Sequence, residues 1–201
     1  MGYHGCERDM AWRILLGESD LEASTNDYDW LGHGIYFWEH GLTRARQFAE
    51  EKKRRGEVKH PFVIGAYIQL GHCLDLTDVW ATRLVARYFR QLRAASRGRD
   101  FPVNGPTVGQ GKDLLLRRLD CAVINLGLGA ADKEARSEHR AFGFDTVRGV
   151  FEEGPAAFPG AGVREKSHVQ VSVRNPACIL GVFRPSGYSF HGGERRAARD
   201  R

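Results

Sequence analysis

Periodicity is spread unevenly along this chain, and that unevenness most restricts what it can fold into. Helical spacing dominates the early and central residues, whereas three runs of strand character crowd the last third. Strands must therefore pair between distant parts of the chain, which makes the fold class α+β. At 201 residues with 42% hydrophobic content, the chain has material for one well-filled core and little for two. Pro and Gly punctuate it in twos and threes without forming a linker, so residues 1–186 are expected to form a single domain.

The elements can be placed from local pattern. A very short first strand is expected around Tyr3-His4-Gly5-Cys6, followed by a helix in which Met10, Ala11, Ile14 and Leu15 recur up to Gly17. Residues 22–29 are rich in Ser, Thr, Asn and Asp and read as a turn-forming loop, with Asn26, Asp27 and Asp29 shaping turns. That loop leads into Trp30-Leu31-Gly32-His33-Gly34 and a strand starting at Ile35-Tyr36-Phe37-Trp38.

Residues 43–55 read as a helix, with Thr43 as its N-cap, Ala45, Phe48 and Ala49 turned inward, and four basic residues at its end. Residues 62–70 and 73–76 read as strands, 77–95 as a long helix and 101–111 as a loop. Residues 112–120 are expected to be helical, 121–126 a buried strand and 130–139 irregular. The last three strands fall at 144–151, 167–173 and 178–183.

Charge and cysteines exclude several classes. Cys6, Cys73, Cys121 and Cys178 lack CxxC spacing, which argues against a zinc site and a secreted disulfide framework; no metal is expected. No apolar run reaches the roughly 18 residues of a membrane span, and no signal-peptide pattern opens the chain, so a cytoplasmic protein without a membrane partner is expected. The net charge is +5, of which residues 187–201 supply +2, through Arg195, Arg196, Arg199 and Arg201 against Glu194 and Asp200. Those residues read as a basic, flexible tail, and the body is only mildly basic.

In the 77–95 helix, Leu84, Tyr88, Phe89, Leu92 and Ala95 share one face. Arg83, Arg87, Arg90, Arg93 and Arg97 follow on the other. Such a stripe is most often a solvated face, but it would also suit a phosphate backbone or an acidic partner.

Taken in order, Tyr3-His4-Gly5-Cys6, Ile14-Leu15-Leu16-Gly17 and Gly32-His33-Gly34-Ile35-Tyr36-Phe37 with the following Ala45/Phe48 helix resemble the poly(ADP-ribose) polymerase and diphtheria-toxin branch of ADP-ribosyltransferases. The resemblance covers about the first 80 residues well and the segment from 167 to 183 more loosely. It implies split antiparallel sheets with flanking helices and NAD⁺ as substrate. It also implies cleavage of the nicotinamide–ribose bond with oxocarbenium character, and transfer of ADP-ribose to a protein or nucleic acid.

By that resemblance His4 hydrogen-bonds a ribose hydroxyl, the Gly5 backbone pairs with the carboxamide, Tyr36 stacks on nicotinamide and Phe48 closes the slot. Many relatives carry a glutamate on a later strand. Here the matching segment, Lys166-Ser167-His168-Val169-Gln170-Val171, has none. Alternation puts His168 and Gln170 on one face, and a glutamine can hydrogen-bond a hydroxyl but cannot serve as a base.

The expected catalytic set is therefore His4, Tyr36 and Gln170, with His168 beside them and Glu153 or Glu165 as loop carboxylates that could reach the site. For Gln170 and His168 the competing reading is an exposed strand stripe. For Trp30 and Trp38 it is the core, and for Arg148, Arg164 and Lys166 it is salt bridging rather than contact with a pyrophosphate.

A neutral residue at position 170 argues against chain elongation. It leaves single transfer, as in a bacterial toxin or defence effector with a neutralising antitoxin or immunity partner. RNA 2′-phosphotransferase-like chemistry and a catalytically silent NAD⁺- or ADP-ribose-binding module are the alternatives. The arginine helix tilts the acceptor towards RNA or DNA.

Overall fold

The computed structural model describes residues 1–96, 100–106 and 113–186. Arg97 and residues 187–201, expected to end the arginine stripe and to form a tail, lie outside them. Along the chain run β1 (Gly2–Glu7), α1 (Arg8–Leu15), β2 (Ile35–Glu39), α2 (Leu42–Arg54), β3 (Pro61–Ile68), β4 (Cys73–Asp75) and α3 (Val79–Ser96). Then come β5 (Asn104–Gly105), β6 (Leu116–Arg117), α4 (Arg118–Ser137), β7 (Thr146–Phe151), β8 (His168–Val173) and β9 (Ile179–Phe183).

Seven strands form one sheet in the order β4-β7-β8-β2-β1-β3-β9, with β5 and β6 paired apart from it. Among the described residues only β4 and β7 run parallel; the other joins of this sheet are antiparallel. The chain is thus a mixed α+β protein whose late strands reach back across the sequence. β8 lies on β2 and β9 on β3, as the crowding of strands in the last third requires.

The joins are unequal. β1 matches β3 over six residue pairs and β2 matches β8 over four. β1 and β2 share only Gly2–Glu39 and Tyr3–Trp38. The sheet is therefore continuous but has a short seam at its centre.

Strand alternation sorts side chains onto two faces. On one, Trp38 and Val63 pack with Ala45 and Ala49 of α2, while Leu74 and Val147 pack with Leu31, Ala81, Ile124 and Leu128 under α3 and α4. On the other, Ile35, Phe37, Ala66, Val171 and Val173 form one cluster and Cys6, Phe62 and Ile64 join Ala11 and Ile14 of α1. All four cysteines are free. No helix among the described residues is long and apolar enough to cross a membrane.

Several boundaries differ from the pattern reading. β1 is six residues long rather than very short, because β3 pairs with all of it. Gly41, not Thr43, precedes α2, without a side-chain cap.

The largest correction concerns residues 112–139. In place of a helix, a strand and an irregular stretch, a single helix runs from Arg118 to Ser137; residues 113–115 have no regular structure and residue 112 is outside the described residues. A short apolar run such as Cys121 to Leu126 looks alike as buried strand or buried helix. The longer register settles it, since Cys121, Ile124, Leu128 and Ala135 recur at spacings of three, four and seven residues, one and two helical turns, and are all buried.

Glycines inside a helix normally disfavour it, by about 1 kcal/mol each. At Gly127 the missing side chain is needed, because a Cβ there would lie 2.0 Å from Tyr88 Cδ2 on α3. Gly127→Ala should therefore lower stability by about 1–3 kcal/mol through overpacking, despite the better helix propensity of alanine. Urea unfolding of the two proteins checks this; an unchanged or raised midpoint would show that α3 and α4 do not cross so closely.

Candidate functional site at the central seam

The loop before β2 is built by its own polar groups. Ser24 and Gly34 exchange backbone hydrogen bonds of 2.8 and 3.1 Å, closing its base. Asp29, 8% exposed, accepts a 2.8 Å bond from the Asn26 amide, and burial raises its pKa. The His33 amide donates to Asn125 Oδ1 at 3.0 Å, tying the loop to α4. Asn26 and Asp29 thus do turn work, and Asp27 pairs with Arg118 at 2.8 Å.

Tyr36 closes this loop. Its hydroxyl donates to Gly32 O at 2.8 Å and accepts from the Leu31 amide at 2.9 Å. Its ring packs against the Leu31–Leu74 cluster, and burial, with Asp29 nearby, lifts the phenol well above its ordinary pKa. Beyond the stacking wall implied by resemblance, the tyrosine is therefore a brace for residues 31 and 32.

His4 meets Tyr36 through the backbone. Its Nδ1 lies 2.8 Å from Tyr36 O. A carbonyl can only accept, so Nδ1 carries the proton and Nε2 the lone pair. Burial lowers the His4 pKa to about 4, so the ring is neutral at pH 7. Its plane stands edge-on to Phe37, with centroids 5.8 Å apart. The Tyr3–Trp38 register places His4 and Phe37 on one face of the sheet and Tyr36 on the other. The two motif residues are joined at the seam but point to opposite sides.

Gly5 is flat for a packing reason, since a Cβ would meet Ala45 O at 2.8 Å and Ala49 Cβ at 3.2 Å. The approach that glycine permits here is that of α2.

Gln170 lies opposite Trp38 in the β2–β8 register, on the Tyr36 face. Its Oε1 accepts a 2.6 Å bond from Trp30 Nε1. An indole N–H only donates, which fixes the amide orientation and leaves the Gln170 NH₂ group for other partners. Gln170 and His168 are both half-buried, so neither is part of an exposed stripe.

The His168 ring stacks on Phe151 with centroids 5.6 Å apart and sits 6.2 Å from Trp38. Its Nδ1 donates to Lys166 O at 2.7 Å. Burial lowers its pKa, and its Nε2 has no partner among the described residues. Phe48 belongs to this group as well. It packs 4.8 Å from the Trp38 ring rather than closing a slot against Tyr36, because α2 sets its inward face on β1 and β3.

One loop carboxylate does reach this region. Glu153, 7% exposed, receives Arg44 Nη2 at 2.8 and 3.0 Å, with Lys166 3.6 Å away. Glu165 stays exposed. Arg44 stands 5.9 Å over the Trp38 ring, and its Nε and Nη1, like Trp38 Nε1, are buried without partners among the described residues.

Sequence reading did not single out Arg44; its core reading holds for Trp38, which is 4% exposed, while Trp30 is half-buried against the core and reaches Gln170. The available signal was that Arg44 precedes inward Ala45 and lies one turn before Phe48. Arg148 and Arg164 are ion-paired, to Glu39 and Asp75 and to Asp113 respectively, which bears out the salt-bridge reading. A separate cavity of about 260 Å³ lies between the loop and α4, lined by Asp27, His33, Arg118, Cys121 and Asn125 among others. It touches none of His4, Tyr36 or Gln170.

Comparison with known proteins finds no match: no family model, no curated protein and no solved structure corresponds to this chain.

Two outcomes check the site. His4 should titrate near pH 4 in ¹³C-edited NMR, and a value near the ordinary 6.5 would mean the ring is not buried at the seam. Because the folded pKa lies below the unfolded one, the unfolded chain takes up the proton first. Stability from this group is full above about pH 6.5 and falls as the pH drops towards 4. Tyr36→Phe keeps the ring and deletes both hydroxyl bonds, leaving the Leu31 amide unpaired; a loss of about 1–3 kcal/mol in urea unfolding is expected.

Proposed function

We propose that this chain binds NAD⁺ at the β1–β2 seam, cleaves its nicotinamide–ribose bond and transfers ADP-ribose to a macromolecular acceptor, protein or nucleic acid. The observation that carries the reading is the state of His4, a neutral ring held through Nδ1 by the Tyr36 carbonyl, with Nε2 as acceptor. A ribose hydroxyl donates to such a nitrogen, which is the role the resemblance implies. The short seam between strands carrying His4 and Tyr36 also suits the split sheet of that superfamily.

Gln170 supplies the third group. With Oε1 taken by Trp30, its NH₂ can donate to a ligand hydroxyl on the Tyr36 face, the side of the sheet opposite His4. It removes no proton. Glu153, the nearby carboxylate, is neutralised by Arg44 and Lys166, so it adds no free base. That combination favours a single transfer or hydrolysis over chain elongation. It accords with a toxin or defence effector acting in the cytoplasm and restrained by an antitoxin or immunity protein.

The same lack of a free base favours, as a second reading, transfer of a 2′-phosphate from RNA to NAD⁺.

Incubation with nicotinamide-labelled NAD⁺, with and without cell extract, tests both. Wild-type protein should release nicotinamide, and His4→Ala should slow release by about 10²-fold or more. Gln170→Ala should lower the rate further than Gln170→Glu does. No release under any condition would reduce the chain to a binding module, whereas release only with 2′-phosphorylated RNA would select the second reading.

A further inference from the structure

We infer that the outer face of α3 is a track for single-stranded nucleic acid, with Trp80 as a base-stacking platform and Arg83, Arg87 and Arg90 as phosphate contacts. The four residues are spaced by three, four and three, which lines them up along one side of the helix. At 1.5 Å per residue the line is about 15 Å long. It lies away from the core side, where Ala81 and Tyr88 are buried and Leu84 and Val85 pack against α4 and the sheet.

Three features separate this face from an ordinary solvated one. All three arginines are exposed, and none forms an ion pair with a described carboxylate. Nine other described arginines each have a carboxylate within 4.0 Å, a partner that these three lack. No acidic residue occurs anywhere in α3, which leaves the stripe's field uncompensated along its own helix.

Trp80, at the head of the line, is 46% exposed, a state in which an indole presents a large apolar face to water. Its ring also rests at 6.4 Å from Phe144, nearly parallel to it, so the platform is supported from behind. A supported aromatic followed by unpaired guanidinium groups is the combination that binds single strands. Bases stack on the ring, and phosphates meet the cations without sequence preference. An acidic protein would use the charges and leave Trp80 idle; a duplex would bury its bases from it.

Binding by α3 stands independently of catalysis. That the bound strand is also the acceptor rests on the transferase reading.

Fluorescence anisotropy of the full chain with a labelled single-stranded RNA of about 20 nucleotides tests the track, beside DNA of the same sequence, a duplex and a polyglutamate peptide. The triple variant R83E/R87E/R90E should lose at least about tenfold in affinity, and its slope of log affinity against log salt should be shallower by about two. Trp80→Ala should weaken binding by about tenfold and leave the slope unchanged. Circular dichroism should be the same for all, since the changed side chains are exposed.

Wild-type affinity in the triple variant would overturn the inference. So would tighter binding of polyglutamate or duplex than of single strands, or loss of binding only when Arg195, Arg196, Arg199 and Arg201 are replaced. Nicotinamide release is read separately. If release persists and the triple variant modifies RNA as well as wild type does, the acceptor assignment falls alone. If RNA binds but no nicotinamide is ever released, the transferase reading falls alone.

Discussion

Tyr36 is held at both ends, and much of the surrounding architecture depends on that. Its carbonyl accepts the His4 ring across the one place where the sheet is thinly paired, and its hydroxyl joins the Leu31 amide to the Gly32 carbonyl. The first bond spans the seam where β1 and β2 share only two residue pairs. The second gives the loop that carries Trp30 a defined shape, and Trp30 in turn sets the Gln170 amide. Seam, loop and later strand are coupled through one residue.

Burial decides the electrostatics of the same region. His4 and His168 both lose their ordinary basicity to desolvation, so two imidazoles stand neutral near the centre of the sheet. The formal charges nearby are gathered into the Arg44–Glu153–Lys166–Glu51 network, where each carboxylate is matched by a cation. Isolated burial of Arg44 or Glu153, the two least exposed members, would cost several kcal/mol, so each depends on the other. What faces the Gln170 side is accordingly aromatic and charge-balanced rather than acidic.

The legible parts of the molecule were those where local chemistry and tertiary demand agree. Ile35-Tyr36-Phe37-Trp38 reads as a strand because it is β-branched or aromatic throughout, and it is one. The inward set Ala45, Phe48 and Ala49 follows from helical spacing alone, and two of the three are fully buried. Residues 118–137 failed because Gly127 and Gly129 argue locally against a helix, and only the approach of Tyr88 explains the first of them. Phe48 was turned inward as expected, yet its partner is Trp38, a choice set by where α2 crosses β1 and β3.

By itself the sequence determined the α+β class, the motif order, the arginine side of α3 and the absence of an acid at position 170. All of these are properties of spacing and residue type. The tertiary structure alone decided that His4 and Tyr36 face opposite sides of the sheet while sharing a hydrogen bond, and that Trp30 orients Gln170 from 140 residues away. It also decided that Glu153 enters the site while Glu165 does not. Strand register and loop closure set these relations, and neither is encoded in any local window. A one-residue slip of β8 on β2 would send Gln170 to the other face with no change in the sequence at all.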